Sequence, residues 1–127
     1  MLNYSLFIKR LSGYDILELP AYKTEMAAGM DLCANFSEEY RSEGISIPLK
    51  GSAIITTGIS VELPSDCEGQ IRSRSGLAAK NGIVVLNSPG TVDADYRGQL
   101  KVILANFGNK EFLVQHGYRI AQLVISP

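Results

Sequence analysis

Residues 90–98 have the sequence GTVDADYRG, and they lie between two apolar runs, 83–86 (IVVL) and 100–104 (LKVIL). Both runs are short, rich in β-branched residues and bounded by turn residues, which is typical of buried strands. Residues 87–90 have the sequence NSPG, which is a turn cluster. The sequence therefore predicts that this stretch begins at the tip of a β-hairpin between two core strands.

The same stretch concentrates polar side chains beside backbone that can line a pocket. Asp93 and Asp95 are two residues apart, so on a regular strand their carboxylates would point to the same face. Two like charges on one face repel each other, and solubility alone gives little reason for such a pair. The pattern favours a site that binds a cation or handles a proton.

Length and charge limit the class of protein. The chain has 127 residues, a net charge of −1 and a hydrophobic fraction of 46%. We expect one domain, residues 1–127, because a chain of this size buries about two-thirds of its unfolded surface. Near-neutral charge gives no global field for nucleic acid or an anionic membrane, so neither is expected as a partner. Residues 1–10 lack a signal-peptide pattern, and no run has membrane-spanning length, so a cytoplasmic protein is expected.

The cysteines and the histidine limit the chemistry. Cys33 and Cys67 are the only cysteines, and His116 is the only histidine. Without a secretory signal, two buried reduced thiols are expected rather than a disulfide or a metal site. One histidine cannot make a histidine-rich metal centre, and a catalytic triad would have to be built on it alone.

Short β patterns fill most of the chain. The longest covers residues 53–63, with Gly58 as a predicted bulge. Shorter strands are predicted within residues 4–9, 27–34, 45–47, 67–72, 83–86, 100–107, 112–114 and 119–125. The one convincing helix covers residues 73–82, with serine in the capping region and Asn-Gly at its end. About nine or ten strands and one helix predict an all-β domain, a barrel or a jelly-roll-like sandwich.

Three further positions have both a structural and a functional explanation. Asp31, in a predicted strand, could cap a turn or pair with an arginine, or it could face a ligand or its metal. The start of the helix, with Arg74 and Ser75, suits a phosphate, although Ser75 could simply cap the helix. Gln122 in an apolar strand needs a partner, which could be neighbouring backbone or a ligand phosphate or sugar.

Four segments together resemble the homotrimeric dUTP pyrophosphatase (dUTPase) family, and their order and spacing match as well. The segments are 28–32 (AGMDL), 74–78 (RSGLA), 90–98 (GTVDADYRG) and 117–123 (GYRIAQL). The similarity covers about residues 4–126. It implies the dUTPase-like β-clip fold, a distorted jelly-roll or β-barrel with one short helix. It also implies a homotrimer with active sites at the subunit interfaces and the motifs split between chains.

The resemblance implies hydrolysis of dUTP to dUMP and pyrophosphate, with Mg²⁺ bound across the phosphates. Asp93 would be the general base that orients and deprotonates the attacking water, aimed at the α-phosphorus. Tyr96 would pack under the deoxyribose and leave no room for a 2′-hydroxyl. The uracil edge would be recognised by Asn87 and by the backbone around Gly90, Thr91 and Val92.

The remaining implied roles concern the phosphates and supporting contacts. The phosphates would be held by Arg74, Ser75, Gly76 and Gln122. Asp31 would support the hydrated metal, through water, or a basic partner. Asp95 and Gln99 are assigned as supporting residues, and Arg97 is assigned to an interface salt bridge outside the site.

Three departures from the family pattern bear on activity. Ser73 stands where proline is usual, Tyr118 stands where an acidic residue is usual, and no Gly-rich fifth motif precedes Pro127. We expect a mobile Gly-rich tail to follow in the gene product. One alternative is a catalytically weak, dUTPase-like nucleotide-binding or regulatory protein. The other is a dCTP deaminase-type relative, which the sequences of residues 74–77 and 93–96 disfavour.

Overall fold

The computed structural model describes residues 4–127, and within that range the chain forms eleven β-strands, one α-helix and one 3₁₀ helix. Residues 1–3, part of the predicted single domain and of the expected signal-free N-terminus, lie outside the described residues. The strands are β1 Phe7–Arg10, β2 Gly29–Cys33, β3 Ile45–Ile47, β4 Ser52–Thr56, β5 Ile59–Glu62, β6 Glu68–Arg72, β7 Ile83–Val85, β8 Gly90–Val92, β9 Lys101–Asn106, β10 Phe112–Val114 and β11 Arg119–Ser126. The helices are α1 Ser75–Asn81 and a 3₁₀ turn, Glu38–Tyr40. The predicted all-β class with one short α-helix is confirmed.

The strands form four small antiparallel sheets around a common core. The largest has the order β2-β11-β6-β8, a second has the order β4-β9-β7, and two-stranded sheets pair β1 with β5 and β10 with β3. Along several strands, alternation decides which side chains enter the core. On β2, for example, Met30 and Leu32 are buried, whereas Asp31 between them points to the opposite face. No helix within residues 4–127 is long and apolar enough to cross a membrane.

The β pattern at residues 53–63 is two strands in different sheets, so the prediction of one bulged strand is wrong. The strand β4 pairs with β9, whereas β5 pairs with β1. Gly58 between them has φ +71°, a left-handed conformation that favours glycine. A Cβ atom there would lie 2.8 Å from Asn35 Nδ2 and 2.9 Å from Tyr14 Cβ. Gly58 therefore allows the chain to pass from the sheet of β4 to the sheet of β5 where neighbouring atoms leave no space for a side chain.

The stretch at residues 90–98 does not begin at a hairpin tip, contrary to the prediction. The strand β7 pairs with β9, whereas β8 pairs with β6 in the larger sheet. Asp93 and Asp95 follow the end of β8 in a turn, where the Tyr96 N–H donates to the Asp93 carbonyl oxygen at 3.0 Å. The prediction that the two carboxylates share one face of a strand is therefore also wrong.

Serine does not cap the predicted helix. Arg74 occupies the N-cap position of α1, and no side chain there accepts a capping hydrogen bond. Ser73 Oγ instead accepts a hydrogen bond from the Val85 N–H at 2.9 Å and lies 3.0 Å from Ser88 Oγ. Ser73 thus tethers the start of the helix to the end of β7.

Both cysteines are unpaired, with Cys67 buried and Cys33 half-buried. Burial raises the pKa of each thiol, because desolvation disfavours the thiolate. These thiols are therefore protonated near neutral pH.

A polar cluster attaches the segment before β2 to the body of the domain. The Asn35 side chain accepts from the Asp15 N–H at 3.1 Å and donates to the Asp15 carbonyl oxygen at 2.8 Å. His116 Nδ1 accepts from the Phe36 N–H at 3.1 Å, so the neutral ring carries its proton on Nε2. That nitrogen lies 3.0 Å from Asp15 Oδ2, and this hydrogen bond lowers the pKa of Asp15.

We expect Asp15→Ala to lower the free energy of unfolding above about pH 5 and to have a smaller effect below about pH 3. A carboxyl whose pKa is lowered by folding stabilises the protein above its unfolded pKa, and that stabilisation is lost as the pH falls through its folded pKa. Urea denaturation between pH 2 and 6 measures the difference between the variant and the parent. Glu111→Ala, at an exposed position, is the control. A difference for Asp15→Ala that does not change over this range would contradict the assignment.

Candidate functional site

A surface cavity of about 270 Å³ opens beside β8 and the turn that follows it. It is lined by Ile71, Val85, Asn87, Gly90, Thr91, Val92, Asp93, Tyr96, Gln99, Leu100, Lys101, Val102 and Ile103. The structure thus brings together the residues predicted to contact the base, the sugar and the attacking water. The predicted supporting residue Gln99 lines the same cavity.

Asp95 lies elsewhere. A wider depression of about 730 Å³ is lined by Asp95 and Arg97 together with side chains such as Tyr4 and Phe7. Of the predicted site residues that the structure describes, this depression contains Asp95 alone. We place the candidate site in the smaller cavity, because that cavity gathers polar groups of several kinds around one opening.

The strand β8 presents backbone to the cavity. It is an edge strand of the four-stranded sheet, paired on one side with β6 through Ile71↔Gly90, Gln70↔Thr91 and Gly69↔Val92. The outer side of an edge strand offers alternating N–H donors and C=O acceptors. The exposed Asn87 side chain precedes this edge. The arrangement can therefore recognise a flat, hydrogen-bonding ring.

The Tyr96 ring is held close to its own backbone. Its hydroxyl donates to the Gln99 carbonyl oxygen at 2.8 Å. A Cβ atom at Gly98 would lie 2.6 Å from the Tyr96 hydroxyl and 2.8 Å from Cζ, so only glycine allows this approach. Arg97 Nη1 donates to the carbonyl oxygens of Ala94 at 2.7 Å and of Tyr96 at 3.2 Å, which tightens the same turn. The predicted interface salt bridge of Arg97 stays a prediction.

Asp93 stands at the opening of this cavity with its side chain exposed to solvent. Its backbone carbonyl accepts from the Tyr96 N–H, so the two residues are fixed in one turn. An exposed carboxylate on an anchored backbone is accessible to water and can accept a proton from it.

A second group of polar residues surrounds Asp31. Its Oδ1 lies 3.4 Å from Arg74 Nε, and its Oδ2 lies 4.0 Å from Arg119 Nη1. Oδ1 is buried and makes no hydrogen bond within the described part of the chain, so the Arg74 contact is an ion pair without good hydrogen-bond geometry. Arg74 Nη1 also donates to the Arg119 carbonyl oxygen at 3.2 Å. The pairing of Asp31 with an arginine, one of the predicted explanations, is confirmed.

The other predicted phosphate ligands are close to this group in the fold. Gln122 on β11 stands opposite Asp31 on β2 and Arg72 on β6. Ser75 and Gly76 follow Arg74 at the exposed start of α1. We call Asp31, Arg74, Arg119 and Gln122 the arginine cluster. Two guanidiniums with one carboxylate leave net positive charge, which suits an anion such as phosphate.

Sequence reasoning missed Arg119 as a member of this cluster. It lies at the start of β11, and the register with β2 shifts between Arg119 and Ala121. Such an irregularity can redirect a side chain in a way that simple alternation does not predict. The available signal was its position in the 117–123 segment, three residues before Gln122.

The cavity and the arginine cluster are separate in this chain. None of Asp31, Arg74, Arg119 and Gln122 lines the cavity. The described residues also contain no group of three or more His, Cys, Asp or Glu side chains that could hold a metal ion. A single chain therefore presents two partial sites, one suited to a ring and sugar and one to an anion.

Residues 15–127 match the profile of the dUTPase family. The chain is 51% identical over 118 residues to the deoxyuridine 5′-triphosphate nucleotidohydrolase of Rhizobium etli, which covers 93% of this chain and 74% of that protein. It is 50% identical over 119 residues to the enzyme of the same name from Rickettsia prowazekii, which covers 94% of this chain and 76% of that protein.

Solved structures show a similar fold. The fold is similar to that of the dUTPase from phage phi11 of S. aureus, solved with a structural Mg(II) ion, with a TM-score of 0.80 and 23% identity over 97% of this chain and 90% of that one. It is also similar to the Staphylococcus bacteriophage 80alpha dUTPase with dUpNHpp. That pair has a TM-score of 0.81 and 25% identity, over 97% of this chain and 82% of the phage chain.

Proposed function

This chain belongs to the dUTPase family, and we infer that it hydrolyses dUTP to dUMP and pyrophosphate. The observation that carries the proposal is the cavity that places Asn87, Asp93 and Tyr96 around one opening beside the free edge of β8. Such an activity limits uracil incorporation into DNA and supplies dUMP for dTMP synthesis. We place it in the cytoplasm, where two unpaired thiols fit the reducing environment.

Asp93 is the proposed general base. Water bound to its exposed carboxylate attacks the α-phosphorus, and the proton passes to Asp93. The new bond joins the water oxygen to the α-phosphorus, and the bond to the α,β-bridging oxygen breaks. Pyrophosphate then leaves with that oxygen. The contribution of the protein is to position the water and the phosphates, so a carboxylate is a sufficient base.

The uracil ring is recognised by Asn87 and by the backbone edge of β8. Uracil presents an acceptor at the position where cytosine presents an amino donor, so cytosine would leave a donor of the site unpaired. A backbone N–H always donates and a backbone C=O always accepts, so the hydrogen-bonding pattern of this edge is fixed.

Tyr96 is the proposed sugar reader. Its ring packs under the deoxyribose and leaves no space for a 2′-hydroxyl. The close approach to Gly98 and the hydrogen bond to the Gln99 carbonyl support this role, because both fix the height of the ring in the cavity.

We expect Gly98→Ala to lower kcat/KM for dUTP by about tenfold or more, because misplacement by about 1 Å can reduce rates a hundredfold. The added methyl group cannot coexist with the Tyr96 hydroxyl in its present position. Pyrophosphate release measures the effect. Tyr96→Phe keeps the ring and loses only its hydrogen bond, so its effect should be smaller. Unchanged kinetics in Gly98→Ala would contradict the proposed placement of the ring.

The arginine cluster is the proposed phosphate site, together with Ser75 and Gly76 at the start of α1. Asp31 forms ion pairs with both guanidiniums, at 3.4 Å to Arg74 and 4.0 Å to Arg119, and most of their N–H groups are then available to phosphate oxygens. In this arrangement Asp31 acts as a supporting residue for the arginines.

Magnesium is proposed to arrive with the nucleotide. The described residues offer no group of three metal ligands, and Asp31 already has two cationic neighbours. They therefore fit an ion held mainly by phosphate oxygens, with Asp31 reaching it only through water. When bound, Mg²⁺ would neutralise part of the triphosphate charge.

We propose a homotrimer in which the cavity of one chain meets the arginine cluster of another. The separation of these two groups within one chain supports this arrangement. Symmetric closure then generates three equivalent sites from one interface.

A pyrophosphate-release assay with dUTP, dCTP and UTP in the presence of Mg²⁺, run beside a dUTP-binding titration and an ammonia assay with dCTP, tests the proposed function. Selective hydrolysis of dUTP is the expected result. Binding of dUTP without hydrolysis would favour the nucleotide-binding or regulatory alternative. Release of ammonia from dCTP would favour a deaminase.

A further inference from the structure

Gln99 connects the cavity to a residue outside it. Its Oε1 accepts from the Gly58 N–H at 2.9 Å, and its Nε2 donates to the Tyr14 hydroxyl at 3.1 Å. Its backbone carbonyl accepts from the Tyr96 hydroxyl at 2.8 Å. Both ends of the Gln99 amide are therefore fixed, and the same residue holds the proposed sugar reader.

Tyr14 is itself held firmly. The next residue, Asp15, makes two backbone hydrogen bonds to the side chain of Asn35, which is only 3% exposed. The Tyr14 Cβ packs so closely on Gly58 that a side chain there would have no room. Tyr14 therefore presents its hydroxyl to Gln99 from a fixed position and not from a loose loop.

We propose that Tyr14 is a positioning residue for sugar selection, which orients the Gln99 amide and thereby fixes the Tyr96 ring under the deoxyribose. This inference rests on the proposed role of Tyr96. Exclusion of a 2′-hydroxyl is steric, so it depends on how closely the Tyr96 ring approaches the sugar. The terminal torsion of a glutamine amide is soft, and it needs a partner at each end to hold one orientation.

Contacts that do not involve Tyr14 hold the backbone beyond Gln99. The Leu100 N–H donates to the Ile59 carbonyl oxygen at 2.9 Å, and Thr57 Oγ1 donates to the Leu100 carbonyl oxygen at 2.6 Å. Loss of the Tyr14 hydroxyl should therefore relax the segment from Tyr96 to Gln99 without unfolding its surroundings. The expected consequence is a change in specificity.

The direct test is Tyr14→Phe, which removes one oxygen. The ratio of kcat/KM for dUTP to kcat/KM for UTP should fall about threefold to tenfold, the range expected for one lost hydrogen bond. Tyr40→Phe, at an exposed position, is the matched control and should leave the ratio unchanged. An unchanged ratio in Tyr14→Phe, or an equal loss on both substrates, would overturn the inference.

A double-mutant cycle tests whether Tyr14 acts through Gln99. In a Gln99→Leu background, Tyr14→Phe should cause no further fall in the ratio. Independent effects of the two substitutions would overturn the proposed connection. A parent protein that binds but does not hydrolyse dUTP would overturn the proposed function alone. In that case Tyr14→Phe should lower the ratio of the dissociation constant for UTP to that for dUTP by the same factor. An unchanged ratio would overturn the inference as well. A parent that binds neither nucleotide overturns both.

Discussion

Asp93→Asn is expected to lower kcat for dUTP by about 100-fold to 10,000-fold, the usual contribution of a positioned general base. The amide has nearly the size of the carboxylate, but it cannot accept the proton of the attacking water. The Tyr96 N–H donates to the backbone of Asp93 and not to its side chain, so the turn should persist. Nucleotide binding should therefore change much less than turnover.

Single-turnover kinetics and calorimetric titration with dUTP separate these two effects. Asp66→Asn, the same substitution at an exposed site far along the chain, is the control and should retain the parent rate. Asp95→Asn should have a smaller effect than Asp93→Asn, because Asp95 lines the other depression. A variant of Asp93 that turns over normally, or that loses binding instead, would contradict the assignment of the base.

Local apolar patterns predicted the location of most of the strands, although β8 was not among them. On β2, Met30 and Leu32 are buried and Asp31 faces the other way, as a period of two requires. The backbone itself imposes this period, so it can be read without knowledge of the fold. A charged residue on the face opposite the core, such as Asp31, is available for contacts in a binding site.

Strand partners could not be predicted in the same way. Residues 53–63 have one continuous pattern, yet their two halves pair with β9 and β1. The stretch after β7 likewise leaves its neighbour and joins β6. Hydrophobic patterning shows which face is buried but not which strand lies beside it. The erroneous shared face for Asp93 and Asp95 followed from this limit.

The candidate site was predictable to the extent that its residues lie in short segments. Asn87, Asp93 and Tyr96 are close in sequence and line one cavity. Tyr14 is 85 positions from Gln99, and no local pattern links the two. Arg119 meets Asp31 only because two distant strands pair with an irregular register. Contacts of this kind depend on the tertiary structure.

An equimolar mixture of Asp93→Asn and Arg74→Ala chains, refolded together, is expected to recover about a quarter of the parent activity if three sites form between subunits. Each variant alone should keep about 1% or less, because one lacks the base and the other lacks a charged phosphate ligand. Asp93 lines the cavity, whereas Arg74 belongs to the arginine cluster, so the two defects lie in different partial sites.

The expected recovery follows from random assembly. A site is intact when its cavity comes from an Arg74→Ala chain and its arginine cluster comes from an Asp93→Asn chain. Each condition holds for half of the chains, so about one site in four is intact in a random trimer. If both groups of a site came from one chain, every site would carry a defect and no activity would return. Mixing Asp93→Asn with the Asp93→Asn/Arg74→Ala double variant is the control, because no chain then supplies the base. Recovery in that control would show that the assay reports something other than sites shared between subunits.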